Sequence, residues 1–435
     1  MRWLLLSVLC VLPYATYAQG TTPESRFAAQ DYVGVIALLE GQAPTPERAY
    51  LLGRAYQEEY QHVRALEAFA QADTMAVRVL RAQAVSHERL GQVSAAIGAY
   101  RRALDQQPES VGLAMALARV HSEERQYEAA RLLLEGATEA KPETPTIRVE
   151  YAKALVALDS LEGAIVQLEI AHRQAPTSVT IPLLLSQVYL ADTNPISARR
   201  VLERALAAVA DNPRLWTRHG AILQQLEAYG EAVAAYGFAL VLGDSTAGTW
   251  RGLGINRYLD DDPRRALDAL QSSYAADSSH ARTAFYLGLA HKQLDAFEEA
   301  ERWLTQAATL SGRTPLADIY EHLADAQRFQ NDYRAAIRTD EVVLFLSPGR
   351  LSTVFHLGVL YDEYYADAGP AIRQYETFVQ QAVASGVSER ADVLVMMTYA
   401  QNRIRALRET TFFEEPSSAS APRADSSGTV EEDER

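Results

Sequence analysis

The chain has 435 residues, of which 48% are hydrophobic and 22% charged, and a net charge of −15. That hydrophobic share is too high for a disordered polymer. The negative charge argues against a general nucleic-acid binder, which needs a positive field to displace counterions from phosphates. A single cysteine, Cys10, excludes a disulfide framework.

Residues 1–18 read as an export signal. Arg2 is followed by an apolar run from Trp3 to Leu12, then Ala15-Thr16-Tyr17-Ala18 as a cleavage site. Cleavage there removes the only cysteine and predicts a periplasmic or secreted protein. No later run is long and apolar enough to span a bilayer, so no membrane span is expected after cleavage. Residues 19–45 form an N-terminal capping region, in which 31–39 reads as the lone second helix of a degenerate repeat.

From there the sequence repeats. Stepping 34 residues from Ala96 gives Ala130, Ala164, Ala198, Ala232, Ala266 and Ala300. A second ladder in the same phase runs Ala84, Ala118, Ala152, Ser186, Gly220, Gly254, Gly288, with Gly53 as an earlier equivalent. A third runs from Ala103 to Ala307. A bulky ladder, Tyr100, Leu134, Leu168, Leu202, Tyr236, Leu270 and Leu304, lies between them. A fixed period of this size marks a stacked-repeat protein. Each period holds two amphipathic helices, A and then B; in 213–246, helix A runs from Pro213 to about Gln225 and helix B from about Gly230 to Leu242. Small residues recur where two helix backbones approach closely. Pro108, Pro142 and Pro176 follow helix B, where a helix must stop.

Trp216…His219-Gly220…Ala232…Tyr236…Ala239, Trp250…Leu253-Gly254…Ala266…Leu270 and Leu287-Gly288…Ala300…Leu304 resemble the tetratricopeptide repeat family. The resemblance covers 46–385. It implies an all-α, right-handed α-solenoid of about ten helix-turn-helix repeats, with Trp216 and Trp250 in a packing slot of helix A.

The period is broken twice: 31 residues separate Ala65 from Ala96 and 36 separate Ala300 from Ala336, which predicts shorter or longer turns. In the last repeat the spacing from Gly358 to Ala371 is one residue longer than from Gly254 to Ala266. This predicts a turn one residue longer, through 366–370. Residues 386–410 form a capping helix starting after Ser388. Residues 411–435 form a disordered acidic tail ending in Glu431-Glu432-Asp433-Glu434.

No phosphate loop, nucleophile elbow or zinc-protease motif occurs, so no catalytic residues, metal or cofactor are expected and the chain is not read as an enzyme. His87, His121 and His291 occupy a repeat slot held elsewhere by Tyr56 and read as packing residues. What remains is a surface. The resemblance implies a concave groove lined by helix A, with Arg54, Arg81, Arg119, Lys153, Arg251, Tyr258 and Phe285 as partner-binding residues. Arg54, Arg81, Arg119 and Lys153 come from four successive repeats and suggest a basic stripe for an acidic peptide, with the chain's own tail as a competitor. Glu321, Asp325, Asp362 and Glu363 form an acidic counterpart. The family's carboxylate-binding pattern pairs Lys with Asn, and this chain lacks that Asn. The function expected is a protein- or peptide-binding scaffold of the bacterial cell envelope; the alternative is an accessory subunit binding polysaccharide or peptidoglycan chains.

Because each repeat packs only on its neighbours, cutting the chain near Asp211 should leave two folded, helical pieces by far-UV circular dichroism. Fragments without helical signal would indicate a single globular core instead.

Overall fold

The computed structural model describes residues 22–311 and 316–414. The export-signal reading, the 415–435 part of the tail and its competitor role fall outside them. The described residues are helical and contain no strand. The chain divides into two compact units at the Ala210/Asp211 junction, the point chosen above for cutting.

The first unit comprises α1 (Pro23–Ala28), α2 (Tyr32–Leu39), α3 (Pro46–Glu58), α4 (His62–Phe69), α5 (Val77–Arg89), α6 (Val93–Gln106), α7 (Val111–Glu123), α8 (Tyr127–Ala140), α9 (Pro145–Ala157), α10 (Leu161–Gln174), α11 (Thr180–Ala191) and α12 (Pro195–Ala208). The second comprises α13 (Pro213–Gln225), α14 (Tyr229–Val241), α15 (Ala247–Leu259), α16 (Pro263–Ala276), α17 (Ala281–Gln293), α18 (Phe297–Leu310), α19 (Leu316–Phe329), α20 (Tyr333–Leu346) and α21 (Leu351–Val359). A π-helical turn (Leu360–Tyr364) follows, then α22 (Ala368–Ala384) and α23 (Ala391–Glu414). From α3 to α22 the odd-numbered helices are A and the even-numbered ones B. Within each unit a hairpin packs its two helices together and its B helix on the next A helix.

The small-residue ladders mark the A–B contact. Ala96, Ala130, Ala164, Ala198, Ala232, Ala266 and Ala300 are completely buried. A Cβ added at Gly53 would lie 2.4 Å from the Phe69 ring, at Gly220 2.9 Å from Tyr236, at Gly254 2.6 Å from Leu270 Cγ and at Gly288 2.6 Å from Leu304 Cγ. In each case the partner is the bulky residue of the B helix sixteen positions on. The Tyr236 ring also presses on the next hairpin, where a Cβ at Gly252 would lie 2.3 Å away. Trp216 packs its ring 4.7 Å from Phe238, and Trp250 lies against the Tyr236–Leu253 cluster, so both serve packing. His121 is buried, its Nδ1 2.6 Å from Gln126 Oε1, and His87 meets Gln92 at the same distance.

Each A helix from α3 to α19 is closed by one residue with positive φ: Tyr60, Gly91, Arg125, Asp159, Thr193, Glu227, Asp261, Asp295 and Asn331. The next N–H reaches back to the last turn, as Gln61 to the Tyr56 carbonyl (2.8 Å) and Asn194 to that of Tyr189 (2.8 Å). This left-handed closure satisfies carbonyls that the helix end would leave bare.

Several expectations are corrected. The N-terminal region is not a lone helix: α1 precedes α2, begun by a Thr22–Ser25 capping box. The 31-residue step is absorbed not in an A–B turn but in α4, which has 8 residues against 14 in α6, and in the connection after it. The 36-residue step falls partly in α19, with 14 residues against 13 in α17, and partly in a connection that includes 312–315. The last hairpin has no longer turn. Its extra residue is taken up by the π-helical turn, and α22 already begins at Ala368. The final helix begins at Ala391, because the Arg390 carbonyl accepts its first helical hydrogen bond, from Leu394 N at 2.8 Å. It continues through 411–414, which the sequence assigned to the tail.

The acids expected on the inner face hold the second unit together instead. Asp362, in the π-helical turn, receives Arg403 of α23 through two bonds of 2.7 and 2.6 Å, plus the Tyr375 hydroxyl at 3.2 Å. Phe355 lies 5.7 Å from Tyr399 of the same helix. Glu321 accepts from Arg350 at 2.6 Å, and Asp325 from Lys292 at 2.5 Å. Arg328 joins Asp325 to the fully buried Asp340, at 2.6 Å from the latter. Burial pushes the Asp340 carboxyl up to about 6, with Arg328 opposing and Asp325 and Glu321 adding to the rise.

Two predictions follow from this packing. Gly254→Ala forces a methyl into Leu270 and should cost about 1–3 kcal/mol, whereas Gly136→Ala enters open space in the middle of α8 and should stabilise by about 0.5–1 kcal/mol. Equal melting temperatures for the two variants would disconnect the small-residue ladder from helix contact. For Asp340, the folded form binds its proton more tightly than the unfolded chain, so its contribution is lost as pH rises from about 4 through 6. Asp340→Asn should remove that slope, worth about 2 kcal/mol between denaturant titrations at pH 4.5 and 7 for a shift of roughly two units. Parallel pH profiles of wild type and variant would contradict the assignment.

Candidate functional site

The side chains offered to a partner sit on the A helices, one face of which is left uncovered by B. In the first unit, Arg54 lies on α3, Arg81 on α5, Arg119 on α7 and Lys153 on α9. They do not form four free cations. Arg119 bridges Glu88 (2.5 Å) and Glu123 (2.8 Å). Burial works against its charge, but these carboxylates more than offset that and raise its pKa. Lys153 pairs with Glu150 at 2.7 Å. Arg54 pairs with Glu58 at 3.1 Å; burial opposes its charge too, and Tyr50 and Glu58 together hold it above its ordinary value. Only Arg81 of the four has no ion pair among the described residues. The stripe is therefore narrower than its spacing suggested, because neighbouring turns and repeats supply carboxylates within reach.

The structure concentrates cations elsewhere. Between α3 and α5 runs a trench of about 460 Å³. Arg54 and Tyr50 stand on one wall, Arg78, Arg81 and Arg89 on the other, and His62 closes one end. The Arg78 guanidinium lies over the Tyr50 ring at 4.8 Å and 3.4 Å from Glu47. Gln57 spans the trench, its amide donating to the Ala82 carbonyl (2.7 Å) and to Ser86 Oγ (2.8 Å). Burial, then Arg89, holds the His62 imidazole below its ordinary pKa. Nδ1 of His62 and Nε of Arg54 are shielded and have no hydrogen-bond partner. Sequence reading missed Arg78, Arg89 and His62. Their signal was present in the spacing of Arg78, Arg81 and Arg89 along one helix face, three and eight residues apart, but attention to the 34-residue period passed over it.

In the second unit, Arg251, Tyr258 and Phe285 keep their expected places on α15 and α17. Arg251 has no ion pair among the described residues; burial first, and then Arg282, lower its pKa. Tyr258 meets Tyr286 edge to face at 5.5 Å, and Phe285 meets the same ring at 5.6 Å. Burial raises the Tyr258 phenol. The three rings thus pack together between the adjacent helices α15 and α17.

These surfaces belong to helical hairpins of known kind. One tetratricopeptide repeat profile matches residues 89–155, and another matches 47–111 and 253–315. A search of curated protein sequences gave no match. Solved structures with similar folds include the APC/C hetero-tetramer Cut9–Hcn1, at 15% identity over 87% of this chain and 88% of that one, with a TM-score of 0.43. PilF of Pseudomonas aeruginosa matches at 18% identity over 51% of this chain and 97% of its own, with a TM-score of 0.41. YrrB, described as a tetratricopeptide repeat protein with an unusual peptide-binding site, matches at 17% identity over 42% and 95%, with a TM-score of 0.37. Across α3 to α9 and α15 to α18 the chain is thus built of tetratricopeptide repeats, whose arrays serve as scaffolds for protein interaction.

Proposed function

We propose that this chain is a scaffold or adaptor of the bacterial cell envelope that holds a protein or peptide segment against its A helices. The observation that carries this reading is the trench between α3 and α5, where arginines line an open cavity in a protein of net charge −15. A rigid guanidinium matches a carboxylate in two-pronged geometry, which suits recognition of acidic partners. Placement in the envelope rests on the sequence of residues 1–18, with its charged start, apolar stretch and Ala-x-x-Ala ending. The role is binding: the arginines and rings of the A helices recognise and position a partner segment.

Polysaccharide binding is the weaker reading. Sugars favour flat exposed ring faces, whereas Tyr258 and Phe285 are each engaged edge to face with Tyr286. The test is site-specific photo-cross-linking in envelope preparations. A cross-linking residue at Tyr60, on the rim of the trench, or at Tyr258 should capture protein, and one at the exposed Glu139 of α8 should not. Equal capture at all three positions, or capture of glycan alone, would overturn the proposal, as would finding the protein with residues 1–18 intact in the cytoplasm.

A further inference from the structure

The trench has a direction, and its direction specifies a ligand. Arg81 and Arg89 are the two wall cations without an ion pair among the described residues, while Arg54 and Arg78 are held by Glu58 and Glu47. Arg81 and Arg89 stand eight residues apart on α5, which is about 12 Å along a helix rising 1.5 Å per residue. An extended chain advances about 3.3 Å per residue and alternates its side chains between two faces, so side chains four residues apart share a face and cover about the same distance. The trench floor between the two arginines is small and apolar, formed by Ala82 and Val85. The Gln57 bridge to Ala82 and Ser86 fixes the separation of the two helices.

We propose that the trench between α3 and α5 binds an extended acidic peptide lying along α5, with acidic side chains four residues apart paired to Arg81 and Arg89. This deepens the scaffold reading and rests on it. The peptide runs along one helix, not across successive repeats, so Arg119 and Lys153 take no part. His62, whose imidazole pKa burial and then Arg89 hold below its ordinary value, adds a hydrogen-bonding ring at one end.

The test is fluorescence anisotropy with the chain from Gln19 onward and labelled nonapeptides. One carries two glutamates separated by three neutral residues, a second carries them adjacent, and a third carries glutamine in their place. The spaced peptide should bind best and weaken as salt rises. Arg81→Met and Arg89→Met should each weaken it about fivefold, the loss of one exposed charge pair, and Arg119→Met should leave it unchanged. Both trench arginines are exposed, and unchanged melting temperatures will show that their removal leaves the fold intact. Equal affinity for spaced and adjacent glutamates, indifference to Arg81→Met, or binding of tripolyphosphate with no binding of any peptide would each overturn the proposal. Failure here with cross-linking at Tyr258 retained moves the ligand to the second unit, whereas loss of cross-linking at both positions rejects the scaffold reading itself.

Discussion

The contact on which this protein depends is a bulky side chain of helix B seated on a small residue of helix A sixteen positions earlier. Phe69 on Gly53, Tyr236 on Gly220, Leu270 on Gly254 and Leu304 on Gly288 are so close that a single methyl group would collide. Dispersion and burial favour such tight contacts only when both helices hold their register. The left-handed residue ending each A helix sets that register, because it brings the chain back after three residues. Where the spacing changes, the structure preserves the contact and alters something else. In the last hairpin Tyr375 sits on Gly358 with one more residue between them, and the π-helical turn accommodates the insertion. The turn then turns its acid to use, since Asp362 within it anchors α23 through Arg403.

Charge in this fold is mostly spent internally. Arg119, Lys153, Lys292, Arg328 and Arg350 all meet carboxylates on their own or adjacent repeats. The exposed pairs among them contribute little stability individually, about 0–1 kcal/mol, but they cancel the field that an inner face would otherwise offer to a partner. An unpaired cation is for that reason more informative than a stripe of cations. Arg81 and Arg89, in an open trench with a small apolar floor, keep their full potential for a ligand carboxylate.

Much of the fold was legible because its rules are steric and periodic. The ladders through Ala96 and Gly254 located the helix contacts, and the limits of α13 fell where Pro213 and Gln225 suggested. The turn closures were not legible. Positive φ falls on Thr193, Glu227 and Arg125, residues that rarely adopt it, and on only one glycine of the A–B turns from α3 to α20, Gly91; the repeat geometry imposes it against local preference. The insertion in the last hairpin was visible as a count but not as a π-helical turn, since sequence spacing does not say which segment stretches. For the site, spacing identified cations on the A helices but not their partners. Glu88 lies 31 residues before Arg119, and whether the two meet depends on the exact rotation between neighbouring hairpins. The trench was missed because it is built within one pair of A helices and not across the period.

The central claim, that this scaffold reads an acidic segment along one helix, is tested most directly by an experimental structure of the chain with the spaced-glutamate peptide bound. The account predicts an extended peptide between α3 and α5, its backbone following α5, with one carboxylate at Arg81 and the other at Arg89. A peptide crossing successive A helices from Arg54 toward Lys153, or seated outside the trench altogether, would contradict it.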